Sequence, residues 1–249
     1  MTRVLIALTS HSELGDTGRK TGFYVSEAAE PWAVFTEAGY EVGLVSVAGG
    51  RPPIDGLDEN DPVQQKFLAA VDLDHTPVAA ELDATAYDAI FFAGGHGTMW
   101  DFPGADDLLK LAAQIYDRGG VVAAVCHGPS ALVNLKLADG KYLVDGKNVA
   151  GFTNAEEAAV GLTDVVPFLL ADELTKRGAI HHPADNFAVQ TVADGRLVTG
   201  QNPQSAQLTA EKTVEALAGW RVRRGCPRSA RSRFRAGERV RRSARNPRA

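Results

Sequence analysis

Cys126 lies in the stretch of the sequence with the greatest potential for covalent chemistry. The segment Ala123–Leu132 (AAVCHGPSAL) runs from an apolar stretch through Cys126, His127 and Gly128 to Pro129. An apolar strand, a sharp turn with small residues and then a helix form the context of a nucleophile elbow, and proline suits the first position of a helix. The segment therefore predicts an elbow that presents Cys126 as a nucleophile.

A position at the start of a helix would also make Cys126 reactive. The unpaired amides and the macrodipole of a helix N-terminus favour a thiolate, so we expect a lowered pKa for this thiol. The amide of His127 could face an oxyanion, with a second donor from the loop of Gly94 and Gly95. The alternative is a small buried hydrophobe, because free cysteine is among the most buried residue types. The elbow context and the adjoining histidine favour the nucleophile.

Strand and helix patterns predict the scaffold that would position the elbow. Short β-rich apolar runs alternate with longer helical patterns, which favours an α/β fold: a doubly wound, mostly parallel sheet with helices on both faces. The predicted strands are Arg3–Leu8, Val42–Val47, Ala89–Ala93, Val121–Val125, Val149–Phe152, Phe187–Val192 and Arg196–Thr199, and the predicted helices are Thr21–Ala38, Pro103–Arg118, Pro129–Leu137, Asp164–Arg177 and Pro203–Leu217.

The residues that directly follow the two most apolar strands are small or reactive. Ligands of open α/β sheets bind beyond the carboxyl ends of the strands, where Gly94–Gly97 and Cys126–Pro129 would stand. The glycines of the first segment also suggest a phosphate-binding loop. That alternative is weak, since the segment lacks both the Lys-Ser/Thr ending and the G-x-G-x-x-G spacing.

Composition limits the class of protein. A chain of 249 residues, 45% of them hydrophobic, is long enough for one sizeable core. With only Cys126 and Cys226, a disulfide framework is not expected, and we predict a reducing, cytoplasmic location. No run approaches the roughly 18 apolar residues of a membrane span. The apolar run Val4–Leu8 is too short for a signal peptide and fits a buried first strand.

The composition changes abruptly after Trp220. The net charge is −5, but the segment 221–249 contains twelve Arg and one Glu and carries +11, which leaves −16 for the first 220 residues. We predict one domain over residues 1–219 and a disordered Arg-rich tail over 220–249. The tail could contact nucleic-acid phosphates, but its single aromatic residue, Phe234, offers no stacking platform. A nucleic-acid partner is therefore not expected, and a shifted reading frame is another explanation of the tail.

Three motifs resemble those of the DJ-1/PfpI superfamily, relatives of the class I glutamine amidotransferases, and most closely its Hsp31-like branch. They are Thr21–Glu27 (TGFYVSE), Ala93–Pro103 (AGGHGTMWDFP) and Val125–Pro129 (VCHGP). Their order and the surrounding strand–helix alternation extend the resemblance over residues 2–218. The resemblance implies a flavodoxin-like fold. The basic tail has no counterpart in the family pattern.

The resemblance also implies roles for particular side chains. Cys126 would be the nucleophile, with Glu27 beside its sulfur and His127 as its imidazole partner. Burial would raise the pKa of Glu27 and make it a hydrogen-bond donor, whereas an ordinary helix glutamate would be solvated. An acidic residue further along the chain orients the histidine in this branch. Glu157 matches best, and Glu156 is a close rival because the alignment there depends on one residue.

The remaining histidines give weaker signals. The family pattern places His96 in the pocket, together with Gly94 and Gly95, although a hydrogen-bonded loop histidine is the commoner case. The adjacent His181 and His182 suggest a metal site, but they have no third ligand nearby. We therefore expect neither a metal nor a cofactor.

The expected activity is that of a glyoxalase III, which converts methylglyoxal to D-lactate without glutathione or another cofactor. Thiol addition, proton transfer by His127 with help from Glu27, and hydrolysis would suit these residues. One rival is a cysteine peptidase or amidase; others are a holdase chaperone and a cysteine redox sensor. A glutamine amidotransferase is not expected, since the late His-x-Glu motif is missing. Family members commonly form homodimers, so a homodimer is expected here.

Overall fold

The structure is a computed structural model that describes residues 1–223, with side chains through residue 219. The predicted α/β class is confirmed: a mostly parallel six-stranded sheet is flanked by helices. The strands are β1 Arg3–Leu8, β2 Phe23–Tyr24, β3 Glu41–Ser46, β4 Ile54–Asp55, β5 Ala89–Phe92, β6 Val121–Val125, β7 Asn148–Val149, β8 Ile180–His181, β9 Thr191–Asp194 and β10 Leu197–Gly200, and the helices are α1 Val25–Glu37, α2 Pro62–Ala70, α3 Thr98–Asp101, α4 Asp106–Asp117, α5 Asn154–Ala159, α6 Leu170–Lys176 and α7 Ala206–Arg223.

The main sheet has the strand order β3-β1-β5-β6-β10-β9. The first five strands are parallel, and β9 pairs antiparallel with β10 at the edge. This order of five parallel strands is that of a flavodoxin-like fold, in which ligand sites lie beyond the carboxyl ends of the strands. Every residue of β5 and β6 is buried, as central strands covered on both faces should be. The loops after these two strands therefore meet at the same edge of the sheet.

The long apolar strands and most helices agree with the sequence predictions to within a few residues, but four predicted segments need correction. The predicted helix Pro129–Leu137 is a short 3₁₀ helix, Gly128–Val133, that is buried on all sides. Predicted strand Val149–Phe152 shrinks to β7, outside the main sheet, because Phe152 donates its amide to the Cys126 carbonyl instead.

The other two corrections concern the second half of the chain. Predicted strand Phe187–Val192 begins only at Thr191, because Phe187 has a φ of 60° and gives its amide to the Glu156 carboxylate. Predicted helix Asp164–Arg177 is reduced to α6. Helix α2 lies between the predicted strands Val42–Val47 and Ala89–Ala93, where no helix was predicted, and Asp61 caps its N-terminus through the amides of Val63 and Gln64.

The predicted tail overlaps the last helix. Helix α7 continues to Arg223, four residues into the segment expected to be disordered. The rest of that segment, including Cys226, lies outside the described residues, so its disorder stays a prediction. Among the helices within residues 1–223, none is both long and apolar enough to cross a membrane.

Candidate active site

Cys126 stands at the sharp turn that the sequence predicted. It directly follows β6 and has a φ of 60°, a left-handed conformation that costs a non-glycine residue about 1–3 kcal/mol. Hydrogen bonds on both sides of the turn hold this backbone: the Cys126 amide donates to Gly200, and its carbonyl accepts from Phe152. Gly128 completes the turn, because a Cβ there would lie 2.3 Å from the Phe92 carbonyl oxygen. The bend is therefore fixed by the sheet and by the absence of a side chain.

His127 is held at both ring nitrogens. Its Nδ1 lies 3.3 Å from the Cys126 sulfur, and its Nε2 lies 2.8 Å from Glu157 Oε2. Burial acts to raise the pKa of Glu157, but the hydrogen bonds from His127 and His96 lower it to about 2. Because an ionised carboxylate only accepts hydrogen bonds, Nε2 carries the proton and donates it, which leaves Nδ1 free to accept the thiol proton. The three side chains form a connected Cys–His–Glu relay.

Two aromatic rings pack against the His127 ring. The centroid of the His96 ring lies 4.1 Å from that of His127, and the centroid of the Phe152 ring lies 4.2 Å from it. Burial, and then the nearby His96, lower the pKa of His127 to about 4, although Glu157 acts to raise it. His127 is therefore a neutral imidazole at neutral pH, and its orientation is fixed.

Glu157 contacts the imidazole rings of two histidines. Besides His127, it contacts His96, whose Nε2 lies 2.9 Å from Oε1. The side chains of His127 and Glu157 are 1% and 3% exposed, whereas that of His96 is 19% exposed. His96 is thus the member of this cluster that faces solvent.

The rival candidate, Glu156, points elsewhere. It caps helix α5 by a capping box with Thr153, and it accepts further hydrogen bonds from the Phe187 amide, Gln201 and Asn202. These donors hold the pKa of the buried Glu156 carboxyl below its usual value, although burial acts in the opposite direction. Glu156 therefore fastens the segment around Phe187, and Glu157 contacts the histidines.

Glu27 reaches the sulfur from helix α1. It is fully buried, and its Oε2 accepts the Gly94 amide at 2.9 Å. Burial raises its pKa to about 8, although the Cys126 thiol and the Gly94 amide act to lower it. The carboxyl is therefore protonated at neutral pH. Its Oε1 has no hydrogen-bond partner among the described residues, which makes a protonated donor available beside the sulfur.

The expected lowered pKa of Cys126 is wrong. Burial raises the pKa of this thiol well above its usual value, and the adjacent Glu27 raises it further, although the backbone amides of His127 and Gly95 act to lower it. The helix that was expected to stabilise a thiolate is only a short 3₁₀ turn, so its dipole is small. In the resting site the sulfur is a thiol that can donate to His127.

The two loops beside the sulfur supply backbone donors. The amides of His127 and Gly95 act on the sulfur, whereas the Gly94 amide is occupied by Glu27. Gly94 is therefore not the free oxyanion donor that the sequence suggested. The Thr98 hydroxyl lies 2.9 Å from the Gly95 carbonyl and 3.0 Å from the His127 carbonyl and so links the two loops.

The histidines differ in their relation to a metal site. Ligand atoms of His96, His127 and Glu157 lie within 4.8 Å of one another, as the ligands of a metal would. Each Nε2, however, already contacts its own oxygen of Glu157, which favours hydrogen bonds over shared coordination. His181 and His182, the pair suggested by the sequence, are instead directed to the Gly151 carbonyl and Asn148.

Replacing Glu27 with glutamine is expected to stabilise the protein at alkaline pH. A carboxyl with a pKa of about 8 in the folded protein and 4.5 otherwise binds more protons when folded. Its contribution to the free energy of unfolding therefore decreases as the pH rises from 4.5 to 8, by roughly 2–5 kcal/mol. Urea unfolding of both proteins across this range should show that the free energy of unfolding of the variant rises relative to that of the wild type as the pH increases. Glu37→Gln, at an exposed position of the same helix, should show no such gain; an equal gain there would contradict the assignment.

Comparison of the sequence with known proteins shows its family. The sequence profile of the DJ-1/PfpI family matches residues 20–216. The chain belongs to the DJ-1/PfpI family. The predicted resemblance is thereby confirmed, and the matched region contains all the side chains of the Cys–His–Glu relay.

Individual relatives indicate the branch. The chain is 41% identical over 238 residues to glyoxalase 3 of Candida albicans, covering 87% of this chain and 99% of that protein. It is 36% identical to the glutathione-independent glyoxalase HSP31 of Saccharomyces cerevisiae, covering 86% and 98% of the two chains. The crystal structure of glyoxalase III from Candida albicans superposes with a TM-score of 0.80 at 38% identity, covering 86% of this chain and 97% of that one. These relatives agree with the Hsp31-like branch.

Sequence reasoning missed two residues that shape the site. Phe152 covers a face of His127, and Thr98 links the two donor loops. Thr98 lies within the second family motif and could have been singled out from it. The contact of Phe152 depends on the hydrogen bond from its amide to the Cys126 carbonyl, which has no local signal in the sequence.

Proposed function

We propose that this protein is a glutathione-independent glyoxalase that converts methylglyoxal and water to D-lactate. The observation that carries the proposal is the relay in which Cys126, Nδ1 and Nε2 of His127 and Glu157 follow one another at hydrogen-bond distance. The relatives from Candida albicans and Saccharomyces cerevisiae are a glyoxalase 3 and a glutathione-independent glyoxalase, which supports the substrate class. Cytoplasmic location and a homodimer remain predictions.

The first step is addition of the thiol to the aldehyde. The sulfur attacks the aldehyde carbon, C1, while the thiol proton passes to Nδ1 of His127. The imidazolium forms against Glu157, whose carboxylate stabilises it. In this proposal the amides of Gly95 and His127, which act on the sulfur, also stabilise the developing oxyanion beside it. His127 then returns the proton to this oxygen, which gives a hemithioacetal on Cys126.

The second step moves hydrogen between the substrate carbons. The hydrogen on C1 is acidic because the ketone is adjacent, and Nδ1 of His127 can remove it. The same nitrogen returns the proton to C2, which makes a lactoyl thioester on Cys126. One proton must also pass from the oxygen on C1 to the oxygen on C2. The protonated Glu27 keeps negative charge away from the sulfur during these transfers.

The last step hydrolyses the thioester. Water attacks the thioester carbon, His127 accepts a proton from that water and delivers it to the departing sulfur. Lactate leaves and the thiol is restored. The sum is the addition of one water, and no electrons enter or leave the site.

A glutathione-free assay with chelator tests the proposed function. Purified protein should consume methylglyoxal and form D-lactate in equal amounts, as measured by chiral chromatography. Folded protein that consumes no methylglyoxal would contradict the proposal.

A hydrolase is the second candidate, because a relay of cysteine, histidine and glutamate also cleaves amides. Turnover of peptide or amide substrates with kcat/KM above that for methylglyoxal would favour the hydrolase. Exclusive turnover of α-oxoaldehydes would favour the glyoxalase.

The profile of kcat/KM against pH should be bell-shaped. Protonation of His127, with its pKa of about 4, removes the base, and ionisation of Glu27, with its pKa of about 8, places a negative charge beside the sulfur. We therefore expect kcat/KM to fall below about pH 4 and above about pH 8. A profile of kcat/KM against pH for the wild type and Glu27→Gln checks this. An alkaline fall near pH 8 that persists in the variant would contradict the role of Glu27.

A further inference from the structure

The proton that passes between the two substrate oxygens has no carrier in the relay so far. Nδ1 of His127 moves the hydrogen between carbons, and its ring cannot turn to reach other atoms. His96 and Phe152 pack beside it, and Glu157 and the Cys126 sulfur hold its edges. Glu27 is protonated, so it offers no free carboxylate to accept the proton of the C1 hydroxyl, and its Oε2 is occupied by the Gly94 amide. A separate group is therefore needed for the oxygen proton.

His96 has the position and the chemistry for this transfer. Its ring lies 4.1 Å from that of His127, tilted by 42°. Its side chain is partly exposed, at 19% against 1% for His127, so a substrate entering the site can reach it. The neighbouring positions Gly95 and Gly97 require glycine, because a Cβ at either would lie within 2.6 Å of a backbone atom of a neighbouring loop. The backbone on both sides of His96 therefore packs closely against neighbouring loops.

The shared carboxylate fixes the tautomer of both rings. Glu157 is ionised and accepts from Nε2 of His96 through Oε1 and from Nε2 of His127 through Oε2. In the neutral form of each ring the proton is therefore on Nε2, and Nδ1 is the atom that can accept a proton. The same carboxylate stabilises whichever ring becomes an imidazolium. Two imidazoles that share one anion can act in turn without a second buried charge.

We infer that His96 is a second catalytic imidazole, which carries a proton from the oxygen on C1 to the oxygen on C2 of the substrate. This inference rests on the proposed glyoxalase function. Nδ1 of His96 accepts the hydroxyl proton of the hemithioacetal carbon as the C1 oxygen becomes the thioester carbonyl. The same nitrogen then delivers that proton to the C2 oxygen, which becomes the hydroxyl of lactate. His127 moves the carbon-bound hydrogen, so all protons are accounted for.

Three variants test the inference with methylglyoxal. His96→Gln should lower kcat by about 10²-fold, a usual effect of removing a general acid–base group, while KM changes less than about threefold. His96→Ala should show the same loss, and free imidazole should restore part of its kcat in proportion to the unprotonated imidazole. His182→Ala, which removes an exposed histidine directed to Asn148, should keep the wild-type kcat with and without imidazole.

Methylglyoxal deuterated at C1 separates catalysis from positioning. If His96 carries the oxygen proton, its loss slows a step other than C1–H cleavage, so the substrate isotope effect in His96→Gln shrinks. If His96 only holds His127 in place, C1–H cleavage itself slows and the isotope effect grows. A larger isotope effect, or a kcat within threefold of the wild type, would overturn the inference and leave the proposed function intact. Wild-type protein that consumes no methylglyoxal would instead overturn the proposed function.

Discussion

Replacing Cys126 with serine is expected to reduce methylglyoxal turnover by at least about 10³-fold, since removal of a covalent nucleophile leaves only residual binding effects. The hydroxyl is smaller and far less nucleophilic than the thiol, and His127, with a pKa of about 4, is a weak base for activating it. The loss should appear in kcat, measured as D-lactate formation under substrate saturation.

Thermal unfolding shows whether the Cys126→Ser variant is folded. Serine can adopt the same backbone geometry, and the hydrogen bonds of residue 126 to Gly200 and Phe152 use only backbone atoms. The midpoint of thermal unfolding should therefore stay close to the wild-type value. A folded Cys126→Ser protein that forms D-lactate at the wild-type rate would contradict the covalent mechanism. The same protein would separate enzyme from holdase, because a holdase does not need the thiol.

Replacing Glu157 with glutamine is expected to lower kcat by roughly 10²–10⁴-fold, the range seen when the partner of a catalytic histidine loses its charge. A carboxylate accepts hydrogen bonds from both His96 and His127, whereas an amide accepts with one end and donates with the other. One ring must then change its tautomer, and neither imidazolium is stabilised by a charge. Steady-state kinetics with methylglyoxal should show this loss in kcat, with KM little changed.

The neighbouring Glu156→Gln supplies the matched control. Glu156 accepts hydrogen bonds from Thr153, Phe187, Gln201 and Asn202 and does not contact His127. An amide in its place turns one acceptor towards donors, which should cost about 1–3 kcal/mol of stability. We therefore expect a lower unfolding midpoint but nearly normal kcat at temperatures where the variant is folded. A larger loss of kcat in Glu156→Gln than in Glu157→Gln would contradict the assignment of Glu157 as the partner of the histidines.

The choice between these two glutamates could have been made from the sequence. Thr153 and Glu156 have the spacing of a capping box, in which the glutamate returns to the backbone at the start of its own helix. That pattern assigns Glu156 to helix α5 and leaves Glu157, one position on, to face the histidines. The structure shows this division.

Other features follow from contacts between distant parts of the chain. Continuous apolar runs such as Val121–Val125 identified the central strands, because burial on both faces leaves a strong signal. The two-residue strands leave no such signal. The raised pKa of Cys126 and the sharing of Glu157 by His96, 61 positions away, depend on tertiary burial and on which loops meet at the sheet edge. Local sequence placed the reactive residues, but their protonation states required the structure.

The most direct test of the account is a rapid-quench experiment with isotopically labelled methylglyoxal in glutathione-free buffer containing a chelator. Acid quenching during a single turnover, followed by peptide mapping, would show where the label is attached. The account predicts that the label first appears on the peptide containing Cys126 and then passes into D-lactate at the rate at which the peptide loses it. D-lactate that forms while the Cys126 peptide stays unlabelled would contradict the account.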